Sequence, residues 1–342
     1  MAIKKVQLTN FTVFESEAIE FCEGINVFIG ENGTGKTHIM KLIYSACQAV
    51  DPKVSFSQKI VKTFRPDDFR ISRLINRRQG TTAAEVKIFS SIANVSKSIS
   101  AKFHTRTTKW DAEVTNEISW ESKLKELTST FIPAKEILSN SNNLISAAEK
   151  NNIEFDDTYL DIIHSAKVDI SVGRDAGSKK SQLNRLEKII AGKVFYDGKK
   201  DRFYLKHGQS KVEFNLVAEG IRKIALLWQL MKNGTLEKGA VLFWDEPEAN
   251  INPLHIPLIA DMLVELQKNG VQVFVSTHDY LLTKYLDLKI NQRDAIKFHS
   301  LYMTEKGVKC ESAKILKNLE HNTIRDTFIQ LYKDEVERAM EE

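Results

Sequence analysis

The sequence predicts an α/β fold in which a mostly parallel sheet is interrupted by inserted segments, and three stretches carry that expectation. Ile25 to Met40 reads INVFIGENGTGKTHIM, an apolar run (Ile25, Val27, Phe28, Ile29) that enters a glycine-rich turn and then a helix beginning near Lys36. Gly239 to Pro253 reads GAVLFWDEPEANINP, four apolar strand residues (Val241, Leu242, Phe243, Trp244) that end on Asp245-Glu246. Val271 to Val275 is a third apolar run, ending in Ser276-Thr277-His278-Asp279. Strands covered on both faces read as short unbroken apolar runs, which is the pattern of a parallel sheet between helices.

The first stretch is a phosphate cradle. Gly30, Gly33, Gly35, Lys36 and Thr37 fall at the spacing G-x-x-x-x-G-K-T, with the strand before and the helix after that the motif requires. Glycines let successive backbone N–H groups face a phosphate, and the helix N-terminus adds its dipole. The expected nucleotide-binding window is therefore Gly30, Glu31, Asn32, Gly33, Thr34, Gly35, Lys36, Thr37 and His38, although the His38 side chain itself reads as packing or surface. Lys36 reaches the β and γ oxygens of ATP, and Thr37 can ligate Mg2+. Asp245 supplies the acidic partner such an ion needs at a strand end, and Glu246 supplies a carboxylate for the attacking water.

Composition limits the alternatives. The chain has 342 residues, enough for one large domain or two ordinary ones, with 42% hydrophobic and 27% charged residues, as in a soluble globular protein. No 18-residue apolar run and no cationic leader are found, so a cytoplasmic protein with no membrane segment is expected. Cys22, Cys47 and Cys310 lie far apart with no C-x-x-C pair, which argues against a disulfide framework or zinc site. A net charge of +4 does not by itself announce nucleic acid.

Taken in order, Ile3 to Leu8 alternates, and Ala18 to Phe21 begins a second short strand; the pair suggests an antiparallel edge beside the nucleotide-binding sheet. Asp51-Pro52 should stop the first helix. Glu85 to Phe89 and Val95 to Phe103 alternate around a turn near Ala93-Asn94, as an antiparallel hairpin does. Arg70, Arg73, Arg77, Arg78, Lys97, Lys102, Arg106 and Lys109 lie in this region, either as a solvated face or as a lining for a phosphate-rich partner. Thr130 to Ser141 reads as a strand broken by Pro133. Helical patterns follow at Leu144 to Lys150, Asp156 to Ile170 and Ser181 to Ala191, with a polar loop at Gly173 to Lys180. About 180 residues separate Lys36 from Ala218, and no piece sustains heptads, so a long coiled coil is excluded. Strands return at 192–196, 201–205 and 211–215, and Ala218-Glu219-Gly220 opens a helix that Asn233-Gly234 ends. A helix from Leu254 to about Lys268 follows Pro253. Two further strands (Ile296 to Tyr302, Val308 to Ala313) and a C-terminal helix (Thr323 to Glu342) complete the chain.

The run LTNFTVFESEAIEFCEGINVFIGENGTGKT resembles the opening of the ATPase heads of RecF, SMC and OLD-type proteins, a branch of the ABC ATPase class. The resemblance implies an α/β P-loop NTPase, an ABC ATPase head with an inserted antiparallel β-subdomain and a helical arm. It makes Asn10, Phe11 and Phe14 candidates for base contact, with plain core packing as the alternative for the two phenylalanines. It places Lys135 or Glu136 where the class senses the γ-phosphate. It sets Ala218, Glu219, Gly220 and Arg222 at the signature that grips nucleotide on the opposite subunit, where this chain has Ala-Glu-Gly in place of Ser-Gly-Gly; Arg222 or Lys223 would then supply the positive charge. It puts His278 at the switch position after the acidic pair, and with Lys36 and Glu246 it completes the expected catalytic set.

One head is expected, with 1–52 and 192–342 as nucleotide-binding core, 53–130 as β insertion and 131–191 as helical arm. The form A/S-E-G-x-R-K is similar to what small stand-alone ATPases of the OLD and anti-phage defence group carry. No TOPRIM-like acidic centre follows the head, so a nuclease or toxin would sit on a separate effector protein. The expected function is a regulatory or sensor ATPase that forms a homodimer or higher homo-oligomer through ATP. A RecF-like DNA-binding repair ATPase is the alternative, and a transporter subunit is disfavoured because the Ser-Gly-Gly turn is missing.

Overall fold

The structure, a computed structural model, describes residues 2–78, 80–92, 95–142, 144–150, 155–170, 177–289 and 295–341. The turn expected at Ala93-Asn94 and part of the loop expected at Gly173 to Lys180 lie outside them. The chain begins with β1 (Ala2–Phe11), β2 (Phe14–Glu20) and β3 (Ile25–Gly30), followed by α1 (Lys36–Gln48) and α2 (Phe56–Phe64). Next come β4 (Ala83–Ile92), β5 (Val95–His104), β6 (Glu113–Thr115), α3 (Glu117–Leu124) and β7 (Ser129–Ile132). Three helices, α4 (Leu144–Glu149), α5 (Asp157–Lys167) and α6 (Gly177–Ile190), lead to β8 (Lys193–Asp197), β9 (Arg202–His207) and β10 (Ser210–Glu213). The remainder is α7 (Glu219–Lys232), β11 (Val241–Asp245), α8 (Ile256–Lys268), β12 (Gln272–Ser276), α9 (Tyr280–Lys289), β13 (Ile296–Thr304), β14 (Gly307–Ala313) and α10 (Thr323–Glu341).

The central sheet has six strands in the order β14-β13-β3-β12-β11-β7, and only the β13–β14 pair is antiparallel. Its strands bury both faces, so alternate residues serve two cores. Val27 and Ile29 join one cluster with Leu242, Trp244, Val273 and Val275, packed under α7 and α8. Phe28, Phe131, Phe243 and Phe274 point the other way. On that side Phe131, Phe243 and Phe274 are paired in register on adjacent strands and stack nearly parallel, with centroids 6.1 and 5.0 Å apart. Aromatic neighbours across strands add to burial by favourable ring contact.

The second sheet corrects the expected layout. β1 and β2 are not an edge of the nucleotide sheet; they combine with the inserted strands in the antiparallel order β2-β1-β4-β5-β6. This sheet therefore crosses the boundary expected at residue 52. Its buried side (Val6, Leu8, Val86, Ile88, Ile99, Ala101) covers α1 and the phenylalanine face. Its other side is charge-balanced: Lys5 stands opposite Glu20, and Lys102 lies between Glu85 and Glu113. β8, β9 and β10 form a third small sheet of their own, so the central sheet resumes only at β11.

Helix α1 is fixed by its neighbours. Tyr44 Oη donates to Asp161 at 2.7 Å, Lys41 pairs with Asp156 at 2.7 Å, and Lys59 pairs with Asp157 and Asp161 at 2.8 and 2.6 Å, which joins α1, α2 and α5. From the far side, Trp120 Nε1 donates to the Ala46 carbonyl at 2.8 Å while the whole indole is buried. Truncation there removes a large apolar group and leaves a carbonyl unpaired. Trp120→Ala is expected to lower stability by about 3–5 kcal/mol, read by denaturant titration with its slope checked against wild type.

Candidate nucleotide site

The register of the central sheet brings the three motifs together. Asp245 is paired with Ser276, and Ser276 with Phe28, so β11, β12 and β3 all end at one edge. From β3 the chain turns through Gly30, Gly33 and Gly35, all with positive φ, into the first turn of α1. Two of these glycines are dictated by space as well. A Cβ on Gly30 would lie 2.1 Å from the Leu301 carbonyl oxygen, and one on Gly35 would lie 2.8 Å from the Phe14 ring. The β1–β2 turn thus closes over the cradle, while Glu31, Asn32 and Gly33 stay exposed and Thr34 is buried with its hydroxyl on the Glu31 carbonyl at 2.8 Å.

Lys36 lies inside the loop, 6% exposed, with its ammonium on the carbonyls of Gly30 and Glu31 at 2.8 and 2.9 Å. Burial pulls its pKa down to about 8, against the opposing attraction of Asp245, Glu246 and Glu248. Thr37 Oγ1 donates to the Asp245 carboxylate, 3.0 Å from Oδ2, and Ser276 Oγ donates to Oδ1. Burial raises the pKa of Asp245, and these two hydroxyls only partly offset it. Among the described residues this buried carboxylate is bonded by hydroxyls and forms no ion pair with a lysine or arginine, a hard oxygen set short of positive charge. Thr37 and Asp245 therefore fit Mg2+, which takes one or two protein oxygens and completes its shell with phosphate and water.

Glu246 follows on a left-handed backbone (φ 46°), its N–H donating to Ser276 O at 3.0 Å. His278 is exposed at the mouth of the cleft that also contains Gly30, Glu31 and Asn32, and partial burial together with Lys36 lowers its pKa. The other side of that cleft is the first part of α10, where Phe328 stacks on Tyr280 at 4.2 Å.

Several expected residues lie elsewhere. His38 packs its ring against Phe64 (5.5 Å between centroids) and burial lowers its pKa to about 4, so its side chain is part of the core and not of the phosphate site. Phe11 and Phe14 are fully buried, as the packing alternative expects, with the Phe14 ring against Gly35. Within this chain Arg222 pairs with the buried Glu136 at 2.6 Å and donates to the carbonyls of Phe214 and Val217. Glu136 is thereby a structural partner, and Lys223 is buried. Ala218 is exposed at the N-cap of α7 and Glu219 is half-buried in its first turn. Gly220 is required by contact, since its Cβ would stand 2.4 Å from Asn250 O.

Ser276 and Glu248 are site residues that motif spacing missed, although their neighbours were singled out. Glu248 Oε1 accepts from Thr277 Oγ1 at 2.7 Å and from His278 N–H at 3.1 Å, and Oε2 is buried with no hydrogen-bond partner among the described residues.

Comparison with known proteins agrees with this geometry. A family described as "AAA domain, putative AbiEii toxin, Type IV TA system" matches residues 25–284, well over half of the chain. The chain belongs to that AAA-domain family. Among curated proteins it is similar to the DNA replication and repair protein RecF of Lysinibacillus sphaericus (strain C3-41), 32% identical over 88 residues, which is 26% of this chain and 24% of the relative. RecF of Geobacillus thermodenitrificans (strain NG80-2) is 30% identical over 88 residues, covering 26% and 23%. The chain thus spans about a quarter of the length of these relatives. Among solved structures it is similar to an SMC head bound to the C-winged helix domain of ScpA, with a TM-score of 0.63 and 16% identity over 93% of this chain and 99% of the other. The SMC head domain from Thermotoga maritima gives 0.53 and 13% over 92% and 100%. The AAA-domain chain therefore has the fold of an ABC-type ATPase head of the RecF/SMC branch. Among the described residues no helix is long and apolar enough to cross a membrane.

Glu248 generates a pH test. Burial raises its pKa from 4.5 to about 7, so folding favours the neutral form. That contribution is fully present below the ordinary value and is lost as pH rises through about 7. Glu248→Gln keeps the acceptor and cannot ionise. Its melting temperature relative to wild type is expected to climb by about 2–6 °C between pH 5 and pH 8, measured by calorimetry at both values; a flat difference would contradict the shift.

Proposed function

We propose that this AAA-domain chain binds ATP with Mg2+ and hydrolyses it, and that two copies close on the nucleotide as a homodimer or higher homo-oligomer. The observation that carries the reading is the meeting of Thr37 and Asp245 at 3.0 Å beside Lys36, with Glu246 next along the chain. Gly30 to Gly35 would receive the β-phosphate on backbone amides, and Lys36 would exchange its two loop carbonyls for phosphate oxygens. Thr37 and Asp245 would hold the magnesium ion, which when bound supplies charge neutralisation at the phosphate oxygens. Glu246 would take the proton of the attacking water, and His278 would contact the γ-phosphate from the cleft mouth. Ala218, Glu219 and Gly220 would face the nucleotide of the second copy; Arg222, held by Glu136, would position their helix.

Coupled to a separate effector, a nuclease or toxin, such a head would act as a regulatory ATPase in anti-phage defence; the toxin–antitoxin wording of its family supports the pairing with a second protein and does not speak to phage. The division into nucleotide-binding core, β insertion (53–130) and helical arm (131–191) is proposed as a functional one, with β1 and β2 of the 1–52 segment belonging to the sheet of the insertion. The expected cytoplasmic location accords with a head of this kind.

The decisive measurement is solution mass by light scattering of Glu246→Gln with and without ATP and magnesium. Turnover should fall about 10²- to 10⁴-fold while ATP still binds, and mass should rise by a factor of two or more on adding ATP. Retained turnover would remove Glu246 from the role, and unchanged mass would remove nucleotide-driven assembly.

A second reading, DNA binding, is favoured by the RecF similarity and by one surface observation. Arg70, Arg77 and Arg106 are exposed and make no ion pair among the described residues, and Arg70 adjoins the exposed Phe69. Duplex DNA binding in 50 mM salt with ATP should then weaken steeply with added salt, and a triple Arg70→Ala, Arg77→Ala, Arg106→Ala variant should lower the slope of log K against log salt by about 2–3. No binding at low salt would exclude it.

A further inference from the structure

Lys223 is assigned to nothing by the site described so far, yet it is 2% exposed in the second turn of α7. Burial lowers its pKa, against the attraction of Glu219, Glu248, Glu246 and Asp245. Among the described residues its ammonium touches no carboxylate. It donates to two backbone carbonyls, Ala249 O at 2.9 Å and Glu246 O at 3.4 Å. A buried ammonium with only carbonyl partners is an expensive way to fill a helix–loop contact, where an apolar residue would serve for packing alone.

The two carbonyls are the ends of one tight turn. Ala249 N donates back to Glu246 O at 3.1 Å, and Ile251 N donates to Glu248 O at 2.9 Å. Glu246 enters this turn at φ 46° and Asn250 leaves it at φ 63°, conformations that residues other than glycine seldom adopt. Gly220, one helical turn before Lys223, packs on Asn250 O, so α7 meets the turn at two points. Arg222, the adjacent residue, turns away from this contact to Glu136.

We propose that Lys223 is the positioning residue of Glu246: its ammonium bridges the carbonyls of Glu246 and Ala249, holds the turn closed and so fixes the left-handed backbone from which the Glu246 carboxylate is aimed. The same closed turn carries Glu248 to Thr277 and His278, so one buried cation on the signature helix sets the backbone of the carboxylate and of the anchor under the histidine. The inference rests on Glu246 being the carboxylate that activates water.

The test compares wild type, Lys223→Met, Lys223→Gln and Glu246→Gln. Met fills a similar volume and offers no donor; Gln offers a neutral donor on a shorter stem. Nucleotide-free Lys223→Met should exchange its backbone amides across residues 246–251 at least tenfold faster than wild type, with the exchange of β3 and α1 unchanged. Its kcat should fall at least tenfold with KM within about twofold, and Lys223→Gln should lie between the two in both measurements. A folded Lys223→Met with unchanged exchange and kcat would overturn the proposal, as would kcat, KM and melting temperature shifting together in both variants. Should Lys223→Met not fold, Lys223→Gln carries both readouts alone. If Glu246→Gln retains turnover, the role of Glu246 fails, while the amide exchange still reports whether Lys223 holds the turn.

Discussion

Everything in the site depends on the common ending of three parallel strands. Hydrogen-bond register, not sequence proximity, places Asp245 beside Ser276 and Ser276 beside Phe28, and the cradle begins two residues further on at Gly30. A one-residue slip in any of the three would turn its side chains to the opposite face. The slip is opposed on both faces at once. Phe131, Phe243 and Phe274 stack in register on one side, and Trp244, Val273 and Val275 fill the core on the other. Aromatic packing remote from the chemistry thereby sets where the carboxylate of Asp245 meets the hydroxyl of Thr37.

The parts of this arrangement that were legible in the sequence are those encoded locally. The strand–turn–helix at 25–40 and the apolar runs ending in Asp245 and Ser276 each carry their own signal, and the structure returns them almost residue for residue. What was not legible depends on contacts between distant segments. Nothing in the alternation of Val6 and Leu8 says that β1 pairs with β4 rather than with the nucleotide sheet, because either partner satisfies the same pattern. Helix α9 after His278 had no counterpart among the expected elements, and its sequence YLLTKYLDLK mixes apolar and polar residues over only ten positions. Arg222 and Lys223 are the sharpest case. Adjacent on a helix, they point about 100° apart, so one reaches Glu136 and the other the turn after Glu246, whereas the resemblance to the signature segment offered one or the other as a charge for phosphate.

The electrostatics follow from how little water reaches this strand edge. Lys36, one of two buried ammoniums here with Lys223, faces Asp245, Glu246 and Glu248, and three of these groups are displaced from their ordinary ionisation: Lys36 downward, Asp245 and Glu248 upward. Burial is the largest cause in all three, so the site is costly to keep charged in both directions. The two hydroxyls on Asp245 and the two carbonyls on Lys36 are the protein's partial answer, and both use groups that the proposed ligand would displace.

That imbalance bears on what can relieve it. A simple anion would satisfy Lys36 and the loop amides but press against Asp245 and Glu246. A simple cation would satisfy Asp245 and oppose Lys36, which already feels the Asp245 charge. Only a ligand that brings strong negative charge to the glycine loop and a compact divalent charge to Thr37 and Asp245 answers both sides together, which is the charge distribution of a magnesium-bound nucleoside triphosphate. Two carboxylates stand outside that set: Glu248 is held by the Thr277 hydroxyl and the His278 amide, whereas Glu246 follows Asp245 on a left-handed backbone whose carbonyl closes a turn on the Ala249 N–H, which is what recommends Glu246 for the role on water proposed above.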